Sequence, residues 1–152
     1  MRVLYFAYAS NMEPSQIQAR CPDHRFFSIG RVEHYGLAFT RWSRSWNSGT
    51  ADILPSRNQE VLGVLYEVSL DDLKRLDKFT LSPQAYFRAD IAVAVGKETI
   101  PALTYLANRE GGFLPSRKYL GQIVKGAEFF KLPQKYVESL KAIQTHDGRA
   151  EG

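Results

Sequence analysis

A polar turn directly after an apolar run holds the residues whose types best suit chemistry. The run Val3–Ala9 ends at Ser10 and Asn11, and Pro14 opens a helix-like stretch a few residues further on. Where a strand passes into a helix, backbone N–H groups and small polar side chains converge, and they can bind a carboxylate or a developing oxyanion. Ser10 and Asn11 are therefore candidate binding residues, provided that a proton-transfer group meets them from elsewhere in the chain.

The cysteine and the histidines indicate neither a thiol nucleophile nor a metal site. Cys21 is the single cysteine, so no internal disulfide or thiolate cluster can form, and an inert, half-buried thiol is the favoured interpretation. The three histidines, His24, His34 and His146, have no ligand spacing of the H-x-x-x-H type. We therefore expect no metal.

A short basic and aromatic stretch, Arg41–Trp46, interleaves two cations with two indoles. Surfaces that bind nucleic acids or anionic ligands use this combination, because a guanidinium pairs with phosphate or carboxylate while an aromatic ring stacks. A glycine turn follows, so a solvated loop at the mouth of a pocket is the favoured interpretation. In a carboxylate-binding protein Arg41 or Arg44 would add a clamp, and the sequence does not choose between them.

Seven strand-like segments and four helices are predicted to position these groups. The predicted strands are Arg2–Tyr8, Phe26–Val32, Tyr35–Trp42, Gly49–Leu54, Glu60–Val68, Tyr86–Val95 and Thr99–Ala107. Residues 55–58 are predicted to be a turn that pairs the fourth strand with the fifth. Helices are predicted to open at Pro14, Ser69, Pro115-Ser116 and Pro133. This pattern indicates a mixed α+β domain, a small curved sheet or β-barrel with flanking helices.

Length and composition are typical of one globular domain. The chain has 152 residues, of which 44% are hydrophobic and 24% charged, so it can bury a core and is not disordered. We expect a single domain over residues 1–144 and a polar, frayed tail over 145–152. The longest apolar run, Val3–Ala9, is too short for a membrane span and makes a poor secretory signal, which indicates a cytoplasmic protein. The net charge of +4 suits an acidic ligand or weak nucleic-acid contact and decides neither.

The residues around the polar turn resemble those of a known enzyme family. The stretch Tyr5–Met12 is close to the Y-F-A-Y-G-S-N-L/M signature of the γ-glutamylcyclotransferases. Further matches follow in the family's order over nearly the whole chain, at Ser48–Ile53, Glu60–Tyr66, Leu76-Asp77, Tyr86-Phe87-Arg88, Tyr119 and Gly126-Ala127. The family's fold is a small mixed barrel with flanking helices, in agreement with the predicted elements.

The resemblance implies an intramolecular aminolysis that uses no metal or other cofactor. In this reaction the α-amine of a γ-glutamyl amino acid or amine attacks its own γ-carbonyl, which releases 5-oxoproline and a free amine. The reaction needs donors for the oxyanion, a clamp for the α-carboxylate and one group that moves the proton. By resemblance the substrate-binding residues are Tyr8, Ala9, Ser10 and Asn11 of the donor loop, together with Tyr86 and Tyr119.

Two positions depart from the family pattern. Ala9 replaces the usual glycine; it is strained there if the backbone needs a positive φ, and it narrows the pocket if only close approach is needed. Thr80 stands where the family carries its catalytic glutamate, because the pattern L-D-x-x-E-G matches Leu76–Leu81. A threonine hydroxyl is not a base near neutral pH, and loss of a general acid/base costs on the order of 100- to 10,000-fold in rate. Activity is therefore expected to be weak or altered.

Other carboxylates are candidates for the missing proton-transfer role. Asp77 precedes Thr80 on the predicted helix and can face the same cavity. Family members that keep the glutamate also carry this aspartate, which favours a bracing role for Asp77 over a role as surrogate base. Asp52, Glu60 and Glu67 lie on predicted strands whose inward faces the sequence does not fix, so they are weaker candidates.

The sequence is therefore compatible with three functions. The first is a γ-glutamylcyclotransferase-like enzyme, and the second is a non-catalytic module that binds a γ-glutamyl or other carboxylate-bearing small molecule in the same pocket. The third and least favoured is a nucleic-acid-associated protein that uses the stretch Arg41–Trp46. No membrane partner is expected, and substrate identity and oligomeric state do not follow from one sequence.

Overall fold

Five strands close into a barrel in the computed structural model, which describes residues 1–148. The strands are β1 (Arg2–Ala7), β2 (Arg25–Ser43), β3 (Ser48–Ser69), β4 (Tyr86–Val95) and β5 (Glu98–Ala107). Their order around the barrel is β1-β3-β2-β4-β5. Neighbouring strands are antiparallel except at the closing seam, where β1 meets β5 in parallel at Tyr5 and Leu103. The predicted α+β class with a barrel-like sheet is confirmed.

The number of predicted strands was wrong, because two predicted pairs are each one continuous strand. β2 and β3 form a single long antiparallel hairpin that reverses at residues 44–47. The predicted turn at 55–58 is part of a bulge: Glu33 faces Glu60 while Tyr35 faces Pro55, and His34 between them has a φ of 66°. A bulge bends a strand without reversing it, so both halves of β3 pair with β2 rather than with each other.

Four helices surround the barrel, and each begins near its predicted start. They are α1 (Pro14–Arg20), α2 (Leu70–Phe79), α3 (Arg117–Phe129) and α4 (Gln134–Lys141), and a 3₁₀ turn over Ser10–Met12 precedes the first. Ser69 and Asp72 form a reciprocal capping box at α2, in which the Asp72 N–H donates to Ser69 Oγ at 3.0 Å. Ser116 caps α3 through one hydrogen bond, in which its Oγ accepts the Tyr119 N–H at 3.1 Å.

The apolar core fills the barrel and the space beneath the helices. Its fully buried members include Phe6, Met12, Ile17, Ile53, Leu65, Leu76 and Ile123. Cys21 is also buried in this core, and burial raises the pKa of its thiol to about 12, as an inert thiol requires. α3 crosses directly over the Ser10–Met12 turn, where Gly126 leaves no room for a Cβ against Met12. This contact fixes the height of the turn above the barrel.

The beginning of the predicted C-terminal tail is anchored rather than frayed. The His146 N–H donates to the Pro115 carbonyl at 3.0 Å, and the Arg117 N–H donates to Asp147 Oδ1 at 2.8 Å. The rest of that tail, residues 149–152, lies outside the described residues. Within residues 1–148 no helix is long and apolar enough to cross a membrane.

Candidate active site

A cavity of about 740 Å³ opens where the polar turn follows β1. Four chain segments supply most of its wall: Tyr8–Asn11, Arg41–Trp46, Phe79–Leu81 and Ala85-Tyr86. The six residues expected to bind substrate all line it, namely Tyr8, Ala9, Ser10, Asn11, Tyr86 and Tyr119. Thr80 lines it as well. The fold therefore brings together residues that are more than a hundred positions apart in sequence.

The polar turn lines this cavity and carries backbone N–H groups without a protein acceptor. Within residues 1–148, the N–H groups of Ala9, Ser10 and Asn11 donate to no protein acceptor. Ala9 has a φ of −132°, so the position does not need the left-handed conformation that favours glycine. Its methyl group instead lies at the cavity wall. Three adjacent free donors at one wall are what an anionic oxygen atom needs.

The side chains of the turn are held rigidly from α1. Gln16 Nε2 donates to Ser10 Oγ at 2.8 Å and to Asn11 Oδ1 at 2.9 Å. Arg20 Nη1 donates to the same Asn11 oxygen at 3.1 Å, and the Arg20 guanidinium lies 4.5 Å from the centroid of the Phe79 ring. Arg20 lines the cavity, but it was not predicted as a site residue. The sequence of a seven-residue helix does not show which of its faces points inward.

The tyrosines of the wall are neutral and oriented by backbone groups. The Tyr86 hydroxyl donates to the Ala51 carbonyl at 2.7 Å, and the Tyr119 hydroxyl accepts the Ala51 N–H at 3.0 Å. Burial raises the pKa of Tyr119 to about 12, so it keeps its proton at neutral pH. That proton has no acceptor in the described part of the chain and is therefore available to a ligand.

The Thr80 hydroxyl is hydrogen-bonded within its own helix. Thr80 ends α2, and its Oγ1 donates to the Leu76 carbonyl at 2.8 Å. One carboxylate does line the cavity among the described residues, that of Glu110. Its Oε1 accepts the Trp42 N–H at 3.1 Å, and its Oε2 lies 3.7 Å from Arg41 Nη2. No local pattern in the sequence singles out Glu110, since it lies in an irregular segment after β5.

Asp77 is not a cavity residue, and both of its carboxylate oxygens are occupied. Arg88 donates to Oδ1 at 3.0 Å and to Oδ2 at 2.6 Å, and the Tyr105 hydroxyl donates to Oδ1 at 2.6 Å. Partial burial alone would raise the pKa of Asp77, but these hydrogen bonds and the Arg88 charge outweigh it and hold the pKa below its usual value. The geometry supports a bracing role and gives no support to a surrogate base.

The three weaker candidates also lie away from the cavity wall. Asp52 is fully buried, but it accepts hydrogen bonds from Thr40 Oγ1, Arg109 Nε and two backbone N–H groups. Glu60 is exposed and lies 3.6 Å from Arg31, and Glu67 is not among the cavity residues either. No cluster of three or more possible metal ligands occurs within the described range.

The stretch Arg41–Trp46 lies at the cavity wall, around the turn between β2 and β3. Trp46 packs edge-on against Tyr119 with ring centroids 5.1 Å apart, and Trp42 packs against Phe113 and His146. Both indoles thus contact rings of the same chain, which favours a pocket wall over a platform for stacked bases.

Comparisons with known proteins identify the family and the fold. The model of the AIG2-like family matches residues 60–140. The human protein named γ-glutamylcyclotransferase is 34% identical over 95% of this chain and 80% of its own length, and the mouse protein of that name is 33% identical over the same shares. A solved structure named γ-glutamyl cyclotransferase is 31% identical and superposes with a TM-score of 0.92, covering 99% of this chain and 93% of its own. The chain therefore belongs to the γ-glutamylcyclotransferase family.

Proposed function

We propose that this chain is a γ-glutamylcyclotransferase with weak or altered activity. It converts a γ-glutamyl amino acid or amine into 5-oxoproline and a free amine. The observation that best supports this proposal is that Ala9, Ser10 and Asn11 have backbone N–H groups without a protein acceptor and line a cavity large enough for such a ligand. Membership of the family supports the same conclusion.

The wall of the cavity supports a definite arrangement of the ligand. The γ-carbonyl oxygen accepts from the N–H groups of the Ala9–Asn11 turn, and the Arg20 guanidinium, hydrogen-bonded to Asn11, pairs with the α-carboxylate. The α-amine then attacks the γ-carbon, and the negative charge on oxygen is stabilised by the donors. A ring C–N bond forms, and collapse of the intermediate breaks the bond to the leaving amine.

Proton transfer is the step that the chain supports poorly. The attacking amine must lose a proton and the leaving amine must gain one, and a carboxylate at position 80 would relay it. Thr80 has no charge, and its hydroxyl is hydrogen-bonded to the Leu76 carbonyl. The proton is therefore transferred through solvent. The donors remain in place, and each such donor typically contributes about 100- to 1,000-fold in rate. The enzyme is therefore slow rather than inert.

Replacing Thr80 with glutamate tests this proposal. The wild-type protein is expected to release 5-oxoproline slowly from a γ-glutamyl amino acid, and Thr80→Glu is expected to raise kcat about 100- to 10,000-fold. Thr80→Gln, which has the same size without the charge, is expected to give no gain. Release is measured by chromatographic detection of 5-oxoproline. No release from either wild type or Thr80→Glu at high enzyme concentration would falsify the enzymatic function.

A non-catalytic binding module is the second candidate, and one observation favours it. The Thr80 hydroxyl is hydrogen-bonded within its own helix, and the one carboxylate on the described cavity wall, that of Glu110, is paired with Arg41. A binding module would bind γ-glutamyl compounds or 5-oxoproline in calorimetry without converting them. Measurable turnover by the wild-type protein excludes this alternative, and absence of binding counts against both candidates.

A further inference from the structure

We propose that Arg41 and Arg44 form an anion subsite that selects ligands whose leaving amine carries carboxylates. A γ-glutamyl dipeptide with an acidic second residue, such as γ-glutamylglutamate, is the ligand class that this subsite fits. The inference rests on the proposed function for the γ-glutamyl half of the ligand. It adds a preference for the other half, which the donor turn does not contact.

The charge balance of the cavity points to an anionic ligand. Three guanidinium groups line it, those of Arg20, Arg41 and Arg44, against the one carboxylate of Glu110 found among the described residues. With threonine at position 80 the wall has an excess of two positive charges. The γ-glutamyl group carries one ammonium and one carboxylate and has no net charge. It therefore leaves the two excess positive charges of the wall unbalanced. An acidic leaving group supplies the missing negative charge.

The three arginines come from two separate segments of the cavity wall. Arg20 is hydrogen-bonded to Asn11 and therefore belongs with the donor turn. Arg41 lies near the end of β2 and Arg44 lies in the following turn, so both belong to a different segment of the chain from Arg20. The leaving group is bonded to the γ-carbon, at the other end of the glutamyl chain from the α-carboxylate that pairs with Arg20. The leaving group is thus the part that meets Arg41 and Arg44.

The subsite is anchored while its charges stay available. Trp46 packs against Tyr119, and this contact holds the backbone of the turn that carries Arg44 at the cavity wall. The Arg44 side chain is exposed and has no acceptor within residues 1–148. Arg41 donates to the Asn108 carbonyl at 2.8 Å, and its charge is balanced in part by Glu110 at 3.7 Å. A guanidinium that is positioned but unpaired is ready to bind a carboxylate.

Calorimetry with a matched pair of ligands tests the subsite independently of turnover. The probes are γ-glutamylglutamate and the same compound with both carboxylates of the second residue amidated. Wild-type protein is expected to bind the acidic probe about fivefold to tenfold more tightly, as two partly exposed ion pairs allow. The preference is expected to weaken as salt is raised.

Substitutions of the positive and of the negative residues at the cavity wall make the test more specific. Arg44→Gln is expected to reduce the preference to about twofold, and Arg44→Glu to abolish or invert it. Glu110→Gln is expected to increase the preference, because it removes the competing carboxylate beside Arg41. Arg57→Gln removes the same charge from an exposed residue of β3 that does not line the cavity, and it is expected to leave the preference unchanged.

The outcomes separate this inference from the proposed function. Equal binding of the two probes by wild-type protein, no binding of either, or an unaltered preference in the Arg41→Gln/Arg44→Gln double variant overturns the subsite. Release of 5-oxoproline without the preference leaves the enzymatic function standing and the subsite refuted. The preference without any release supports the subsite and contradicts turnover.

Discussion

Asp77 illustrates how the partners of a carboxylate decide its role. It lies in the helix that Thr80 caps, and a carboxylate close to an enzyme cavity is a common candidate for acid–base chemistry. In this fold Arg88 and Tyr105 occupy both of its oxygens, and its pKa lies below the usual value. Asp77 therefore ties α2 to β4 and β5, and Tyr105 is the cavity residue that it positions.

Removal of the Asp77 charge is expected to cost stability in a pH-dependent way. A carboxyl whose pKa is lower in the folded state contributes stability above its unfolded pKa, near 4, and loses it as the pH falls through the folded pKa. Asp77→Asn should therefore lower the free energy of unfolding by about 1 kcal/mol at pH 7, since the pair is partly exposed. The difference from wild type should shrink as the pH falls through the lowered folded pKa of Asp77. Urea unfolding across this pH range measures it.

The pair between Glu128 and Lys141 provides the control for this prediction. Both side chains are about half exposed, so Glu128→Gln should change stability little at any pH. A constant difference between wild type and Asp77→Asn down to pH 2 would show that the Asp77 charge does not contribute.

Among the elements, α3 has the most direct influence on the donor turn. A Cβ built on Gly126 would lie 2.6 Å from Met12 Cβ and 2.7 Å from the Glu13 nitrogen, and backbone atoms cannot yield to it. Gly126→Ala must therefore lift α3 or displace the turn. We expect a loss of about 1–3 kcal/mol in stability and weaker binding of γ-glutamyl ligands.

Gly121 in the same helix supplies a matched control. A Cβ there meets no atom within 4 Å, so Gly121→Ala should be neutral or stabilising by up to about 1 kcal/mol. Thermal unfolding and ligand calorimetry on the two variants measure both effects. Equal stability and equal affinity in the two variants would show that helix contact does not set the position of the turn.

Features that depend on neighbouring residues could be predicted from the sequence. Features that depend on pairing between distant segments could not. The cap at Ser69 and the junction after β1 depend on neighbouring residues only, and both occur as expected. Residues 55–58 have turn composition, which suits a bulge equally well, and only the register with β2 decides between them. Arg20 and Glu110 line the same cavity because the barrel closes. Neither segment carries a local sequence pattern from which this could be predicted.

For the whole molecule, the seam between β1 and β5 joins stability to the site. The two strands share a single register pair, Tyr5 with Leu103, and two side-chain hydrogen bonds reinforce it. Thr104 Oγ1 donates to the Phe6 carbonyl at 2.8 Å, and the Tyr8 hydroxyl donates to the Tyr105 carbonyl at 2.7 Å. Since Tyr8, Thr104 and Tyr105 also line the cavity, the seam must stay closed for the cavity to keep its shape.

Thr104→Val tests this link, because valine keeps the shape of threonine and removes only the hydroxyl. The variant should lose about 1 kcal/mol of stability, and its amide protons in β1 and β5 should exchange faster while those of the β2–β3 hairpin change less. Ligand affinity should fall in parallel, because local opening of the seam removes Tyr8 from the wall. Ser56→Ala deletes an exposed hydroxyl that donates to Gln59, so it should leave both properties within experimental error. Faster exchange spread evenly over all five strands would instead mean that the hydroxyl stabilises the barrel as a whole, without a distinct seam.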